Sequence, residues 1–115
     1  MPKLDKEWAE LVKAGNSCEY CGKSGDVCRL NAHHFYSRSN HAVRWDLDNG
    51  FCLCSYHHCL GQWSAHKNPA EFVEWAIETR GQEWYEELRR KKNLILKRSE
   101  WKRVYAELLE LNGKA

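Results

Sequence analysis

The chain has no long apolar run. Its longest aliphatic stretch is Leu94-Ile95-Leu96, far short of the roughly 20 residues a membrane-crossing helix needs. No secretory leader is expected either, since Met1-Pro2-Lys3-Leu4-Asp5-Lys6 is charged and has no apolar core region. The expectation is a soluble, cytoplasmic protein with no membrane partner. Net charge is almost absent, with 18 Lys and Arg against 16 Asp and Glu, so the field of the whole molecule argues for no particular partner. Internal repeats and low-complexity segments are missing as well. The 115 residues suit one domain with a small core, and folds of this size often rely on a staple.

What the chain does have is thiols and large rings. Six cysteines in a reducing compartment speak for metal before disulfides. Six tryptophans and five tyrosines bring enough area to fill a core. Cations gather in the last third, at Arg89-Arg90-Lys91-Lys92, Lys97-Arg98 and Lys102-Arg103. Such runs serve either as a solvated helix face or as a nucleic-acid contact.

Periodicity predicts the elements. Leu4, Trp8, Leu11 and Val12 stand at helical spacing within residues 3–14, and Gly15-Asn16 ends that helix. Arg29 to Phe35 reads as a strand with Leu30, Ala32 and His34 on one side and Arg29, Asn31 and His33 on the other. The adjacent histidines therefore point to opposite faces. A polar loop leads to the turn Asp46–Gly50, then to a second strand, Gly50–Cys54, that pairs with the first. Ser55 opens a helix reaching about Trp63. Asn68 is expected to cap the next helix, with Pro69 at its first position and Glu71 completing a capping box. That helix runs to Arg80 and stops at Gly81. Two more follow, from Gln82 to about Lys92 and from about Ser99 to Leu111.

Cys18-x-x-Cys21-Gly22 forms a tight turn that aims two sulfurs at one ion, with glycine letting the backbone amides face them. No βαβ pattern surrounds it, which argues against a redox pair. Cys54-x-x-His57 repeats the spacing, and 32 residues separate the two half-sites. Together they predict a tetrahedral structural zinc on Cys18, Cys21, Cys54 and His57, with no coordination position left open. Cys59 competes with His57 as the fourth ligand. Cys52 also lies nearby, and Cys28 reads as a small buried hydrophobe.

A second constellation lies inside this frame: His33-His34, Asn49 and His58. Strand ending in His-His, loop, Asn, strand, and helix opening with His resembles the ββα-metal arrangement of the HNH endonucleases. Leu53-Cys54-Ser55-Tyr56-His57-His58 is similar to the closing motif of their zinc-stapled branch, with a histidine in place of the usual fourth cysteine. The tract His34-Phe35-Tyr36-Ser37-Arg38, Arg44-Trp45-Asp46, Asn49 resembles phage recombination nucleases of the NinG (Rap) type. The specific resemblance covers residues 18–67 and a vaguer one extends to residue 92.

The resemblance implies an α+β fold: a ββα-metal core with one structural zinc over residues 17–67, preceded by a helix (1–16) and followed by a helical extension (68–115), all one domain. It implies metal-dependent hydrolysis of DNA to 5′-phosphate and 3′-hydroxyl ends, in a bacterial or phage-infected cell. His34 is then the general base. Asn49 either holds the His34 ring or contacts metal, and His33 and His58 carry a catalytic divalent cation (Mg²⁺, Mn²⁺ or Ni²⁺). Many family members have aspartate where His33 stands. Imidazole is the softer ligand and favours Mn, Co, Ni or Zn over Mg. His66 is either a further ligand or a surface residue before a cap. Arg38 and Arg44 are candidate phosphate contacts. Sequence reading by the motif itself is not expected, so cleavage of low specificity or directed by DNA shape, branched DNA included, is the implied activity. A homodimer would let both strands be cut, although nothing in the chain requires it. The competing reading is a non-catalytic zinc-binding module for nucleic acid or protein.

Overall fold

The computed structural model describes residues 1–114. Its centre is an antiparallel pair, β1 (Leu30–His34) and β2 (Gly50–Cys54), in the register Leu30↔Cys54, Ala32↔Cys52 and His34↔Gly50. Each strand presents alternate residues to opposite faces, and helices cover both. On one face Phe51 and Leu53, both 0% exposed, pack with Cys18, Cys54, Ala65, Phe72 and Ala76. Phe72 and Ala76 belong to α2 (Pro69–Arg80). On the other face Ala32 meets Leu4, Trp8, Trp45 and Leu108, contributed in part by α1 (Pro2–Val12) and by a C-terminal helix, Trp101–Leu111. With both faces covered, all five residues of β2 are buried. Each large apolar side chain so enclosed contributes about 1.5–3 kcal/mol by leaving water.

α3 (Gln82–Lys92) follows α2 directly, the break being made at Gly81, whose φ of 99° is open to glycine but not readily to other residues. The C-terminal helix, α4, is preceded by a single 3₁₀ turn at Arg98–Glu100. The helices were expected at these places, but two details of the expectation are corrected. Asn68 stands at the N-cap of α2, yet its side chain makes no capping bond, and no capping box forms with Glu71. The helix expected from Ser55 to about Trp63 is one π-helical turn, Tyr56–Leu60. The chain then folds back, so that Ala65 N–H and His66 N–H donate to the His57 and His58 carbonyls at 2.8 and 3.1 Å. Those carbonyls are thereby used by a returning loop and cannot serve a longer helix.

Polar ties lock the layers. Arg80 Nη2 donates to the Gly50 carbonyl at 2.6 Å and to Glu19 Oε1 at 2.9 Å, and its guanidinium lies 3.5 Å from the centre of the Phe51 ring. Asp5 accepts from Arg44 Nε and Nη2 at 3.0 and 2.7 Å and from Trp45 Nε1 at 2.9 Å. No described helix is long and apolar enough to cross a membrane.

α1 crosses β2 so closely at Gly50 that a methyl group there would overlap Val12 and come within 2.9 Å of the Trp8 ring. Alanine ordinarily improves a strand over glycine by roughly 0.5–1 kcal/mol. Here Gly50→Ala should instead destabilise by about 1–3 kcal/mol, seen as a lower denaturation midpoint at unchanged m-value. For Asp5, burial acts to raise the pKa, but the bonds from Arg44 and Trp45 and the Arg44 charge outweigh it and hold it low. The associated stability is present above the unfolded carboxylate value of about 3.9 and is lost as pH falls through the lower folded value. The stability lead of wild type over Asp5→Asn should therefore shrink below about pH 4, as measured by denaturant titration across pH.

Candidate metal centres

Cys18 and Cys21 sit on a turn closed by Gly22 N–H donating to the Cys18 carbonyl at 2.8 Å. Gly22 has a φ of 77°, which the turn demands and which only glycine adopts cheaply. Cys54 ends β2 and His57 lies in the π-helical turn. Their ligand atoms and those of Cys18 and Cys21 all lie within 4.8 Å of one another. Cys21 Sγ and Cys54 Sγ are 3.9 Å apart. That is far beyond a disulfide bond, and close to the ~3.8 Å edge of a tetrahedron with Zn–S of 2.3 Å. His57 Nδ1 stands 3.2 Å from Cys54 Sγ. Burial acts to raise the Cys18 pKa, yet backbone amides of Cys21, Cys54 and Tyr20 aimed at its sulfur bring it below the usual thiol value. Burial, and then the neighbouring Lys23 charge, keep His57 neutral to lower pH. Burial pushes the Cys21 thiol up, but the ligand atoms of these four residues are gathered closely enough that they could hold a metal such as zinc, which binds thiolate and neutral imidazole. Cys59, the rival fourth ligand, is exposed and outside the cluster. Cys28 is half-buried and directs its thiol to the Ser24 carbonyl at 3.3 Å.

A second group forms where β1 ends. The ligand nitrogens of His33, His58 and His66 also lie within 4.8 Å of one another. His58 Nε2 and His66 Nε2 are 3.0 Å apart, matching the ~3 Å between adjacent nitrogens on an octahedral ion at about 2.1 Å. His33 packs edge-on to Phe72 at 4.9 Å. Its pKa is pushed down to about 3 by burial first, then by His58, His66 and His34. Three imidazoles with their ring nitrogens gathered in this way could hold a divalent transition metal. His66 enters through the returning loop: its N–H bond to the His58 carbonyl places the two side chains side by side.

His34 faces the other way, stacked on Trp8 with ring centres 3.9 Å apart and planes 15° from parallel. Its Nε2 lies 3.0 Å from the Arg44 carbonyl. A carbonyl only accepts, so Nε2 carries the proton and Nδ1 keeps the free lone pair. Burial lowers the His34 pKa, partly opposed by the Arg44 carbonyl and Asp5. His34 and His58 line the same open cleft of about 580 Å³, together with His33, His66, Phe35 and Arg38.

Two expected partners are placed differently. Asn49 does not bond the His34 ring. Fully buried, it accepts from Tyr36 N–H at 2.7 Å and donates to the Tyr36 carbonyl at 3.1 Å. It therefore pins the chain just past His34 instead of the imidazole. Arg44 is not free to meet a phosphate, because it is 9% exposed and its guanidinium is forked onto Asp5. Arg38 is exposed and stays at the cleft. Sequence reasoning passed over Asp5 and Trp8, which looked like ordinary residues of an amphipathic helix. For Trp8 no local signal distinguished a ring that stacks on His34 from one that only fills the core.

Structural zinc contributes an apparent 10–16 kcal/mol in small metal-folded modules, comparable to the whole stability of a domain. Cys54→Ser, or a strong chelator, should therefore remove the ion and collapse the cooperative unfolding transition. Metal content by elemental analysis beside circular dichroism checks both halves of that expectation.

Searches of protein-family models, of curated proteins and of solved structures each gave no match.

Proposed function

We propose that this protein is a metal-dependent DNA endonuclease of the HNH type, hydrolysing phosphodiesters to 5′-phosphate and 3′-hydroxyl ends. The observation that carries the reading is the convergence of His33, His58 and His66 at the cleft that His34 and Arg38 also line. A strand pair followed at once by a short helical turn makes that convergence, which fits a ββα-metal core braced by a structural zinc at Cys18, Cys21, Cys54 and His57.

His34 suits the role of general base. Its ring is held between Trp8 and the Arg44 carbonyl, and its lowered pKa keeps it neutral at physiological pH. Nδ1 takes a proton from water as the water oxygen bonds to phosphorus. The P–O3′ bond breaks, its electron pair stays on the leaving oxygen, and solvent supplies the proton that completes the 3′-hydroxyl. A divalent cation bound by His33, His58 and His66 would supply charge stabilisation for the leaving oxygen. The all-imidazole ligand set favours Mn²⁺ or Ni²⁺ over Mg²⁺. Arg38 at the cleft is placed to meet a phosphate. The HNH motif does not read sequence by itself, which supports cleavage of low sequence specificity or selection by DNA shape.

The test is nicking of supercoiled plasmid with Mg²⁺, Mn²⁺ and Ni²⁺. His34→Ala should lose about 10²–10⁴-fold in rate while retaining its zinc. Absence of nicking by the wild type with all three ions would favour a non-catalytic zinc-binding module.

A further inference from the structure

The basic run at the end of α3 is not uniform. Arg90 is paired with Glu87 at 2.6 Å, and Lys91 with Asp46 and Asp48 at 3.0 and 3.1 Å. Among the described residues no carboxylate pairs with Arg89, Lys92 or Arg38. Tyr85, Arg89 and Lys92 follow one another at i, i+4 and i+7, which puts them on one side of α3. That side meets the chain just beyond His34. The Lys92 ammonium lies 4.8 Å from the centre of the Tyr36 ring. Phe35, which lines the cleft, is 6.1 Å from Tyr85 between ring centres.

Position and charge together identify a surface. Tyr36 directly follows Phe35, which lines the cleft, so this face begins where the cleft ends. From Tyr85 to Lys92 the helix advances about 10 Å, equal to roughly three base-pair rises along a duplex axis. Unpaired cations supported by aromatic rings suit a sugar–phosphate backbone, which offers negative charge at regular intervals. Arg89 and Lys92 stay unpaired, Lys92 over the Tyr36 ring, while both residues between them are paired with carboxylates.

We propose that Arg89 and Lys92 of α3, with Tyr36 and Tyr85 between them and the cleft, form a docking track for the phosphate backbone of the duplex arm that flanks the scissile bond. The choice of ligand rests on the nuclease reading. The surface itself is tested separately, by binding.

Affinity for a fluorescently labelled duplex is measured by anisotropy between about 50 and 200 mM salt, a range over which phosphate contacts change affinity strongly. The protein carries His34→Ala to prevent cleavage, with wild type lacking added divalent cation run in parallel. Adding Arg89→Ala and Lys92→Ala should make the slope of log affinity against log salt shallower by about 2. The equal-charge control, Lys102→Ala with Arg103→Ala on α4, should leave the slope unchanged. Nicking by the wild type with an unchanged slope in the Arg89/Lys92 variant would overturn the track and leave the nuclease standing. A shallower slope without wild-type nicking would support the track and overturn the nuclease. An equal loss of slope in the control pair would also overturn the track, because it would reduce the effect to net charge.

Discussion

The pairing of β1 with β2 is the constraint on which the rest depends. A slip of one residue between the strands would turn each side chain to the opposite face, exchanging the surroundings of His33 and His34. His33 would lose His58 and His66, and His34 would lose Trp8 and the Arg44 carbonyl. The register is held from both ends. At one end Cys54 is tied to the Cys18–Cys21 turn, and at the other Gly50 is wedged beneath Trp8 and Val12. The bonds of Asn49 to both backbone groups of Tyr36 close the base of the connecting loop. A buried amide bound on both its polar ends is costly to displace, which makes Asn49 a register lock.

In the π-helical turn, too, two neighbouring side chains serve two different purposes. His57 turns to the cysteines, and His58 turns to His33 and His66. A two-stranded sheet is marginal by itself in water. Here it is enclosed between α1 and α4 on one side and α2 on the other, with the cysteine cluster closing the edge. The nuclease reading uses all of this rigidity, because a base and a metal site must hold their separation through the reaction.

The π-helical turn at Tyr56–Leu60 shows how a local feature can serve a distant one. Wider winding spends fewer backbone bonds within the turn and leaves the His57 and His58 carbonyls for the loop that brings back Ala65 and His66. Such turns occur often at functional sites. Here the consequence is the arrival of a third imidazole, His66, brought beside His58 by the returning loop and not by the continued winding of a helix.

Much of this was legible in the residues alone. The two half-sites, the opposed faces of β1, the bounds of β2 and the helices that stop at Arg80 and Lys92 follow from spacing, turn chemistry and period, which act over a few residues and survive any packing. The partners of Asn49, Arg44, Trp8 and His66 did not follow. An amide, a guanidinium or an indole has the same propensity whether its partner is substrate or its own backbone. Asp5 and Arg44 meet across 39 positions of chain. That meeting, like the pairing of Lys91 with Asp46 and Asp48, was decided only when the helices closed over the sheet, because such ion pairs depend on distance in space and not along the chain.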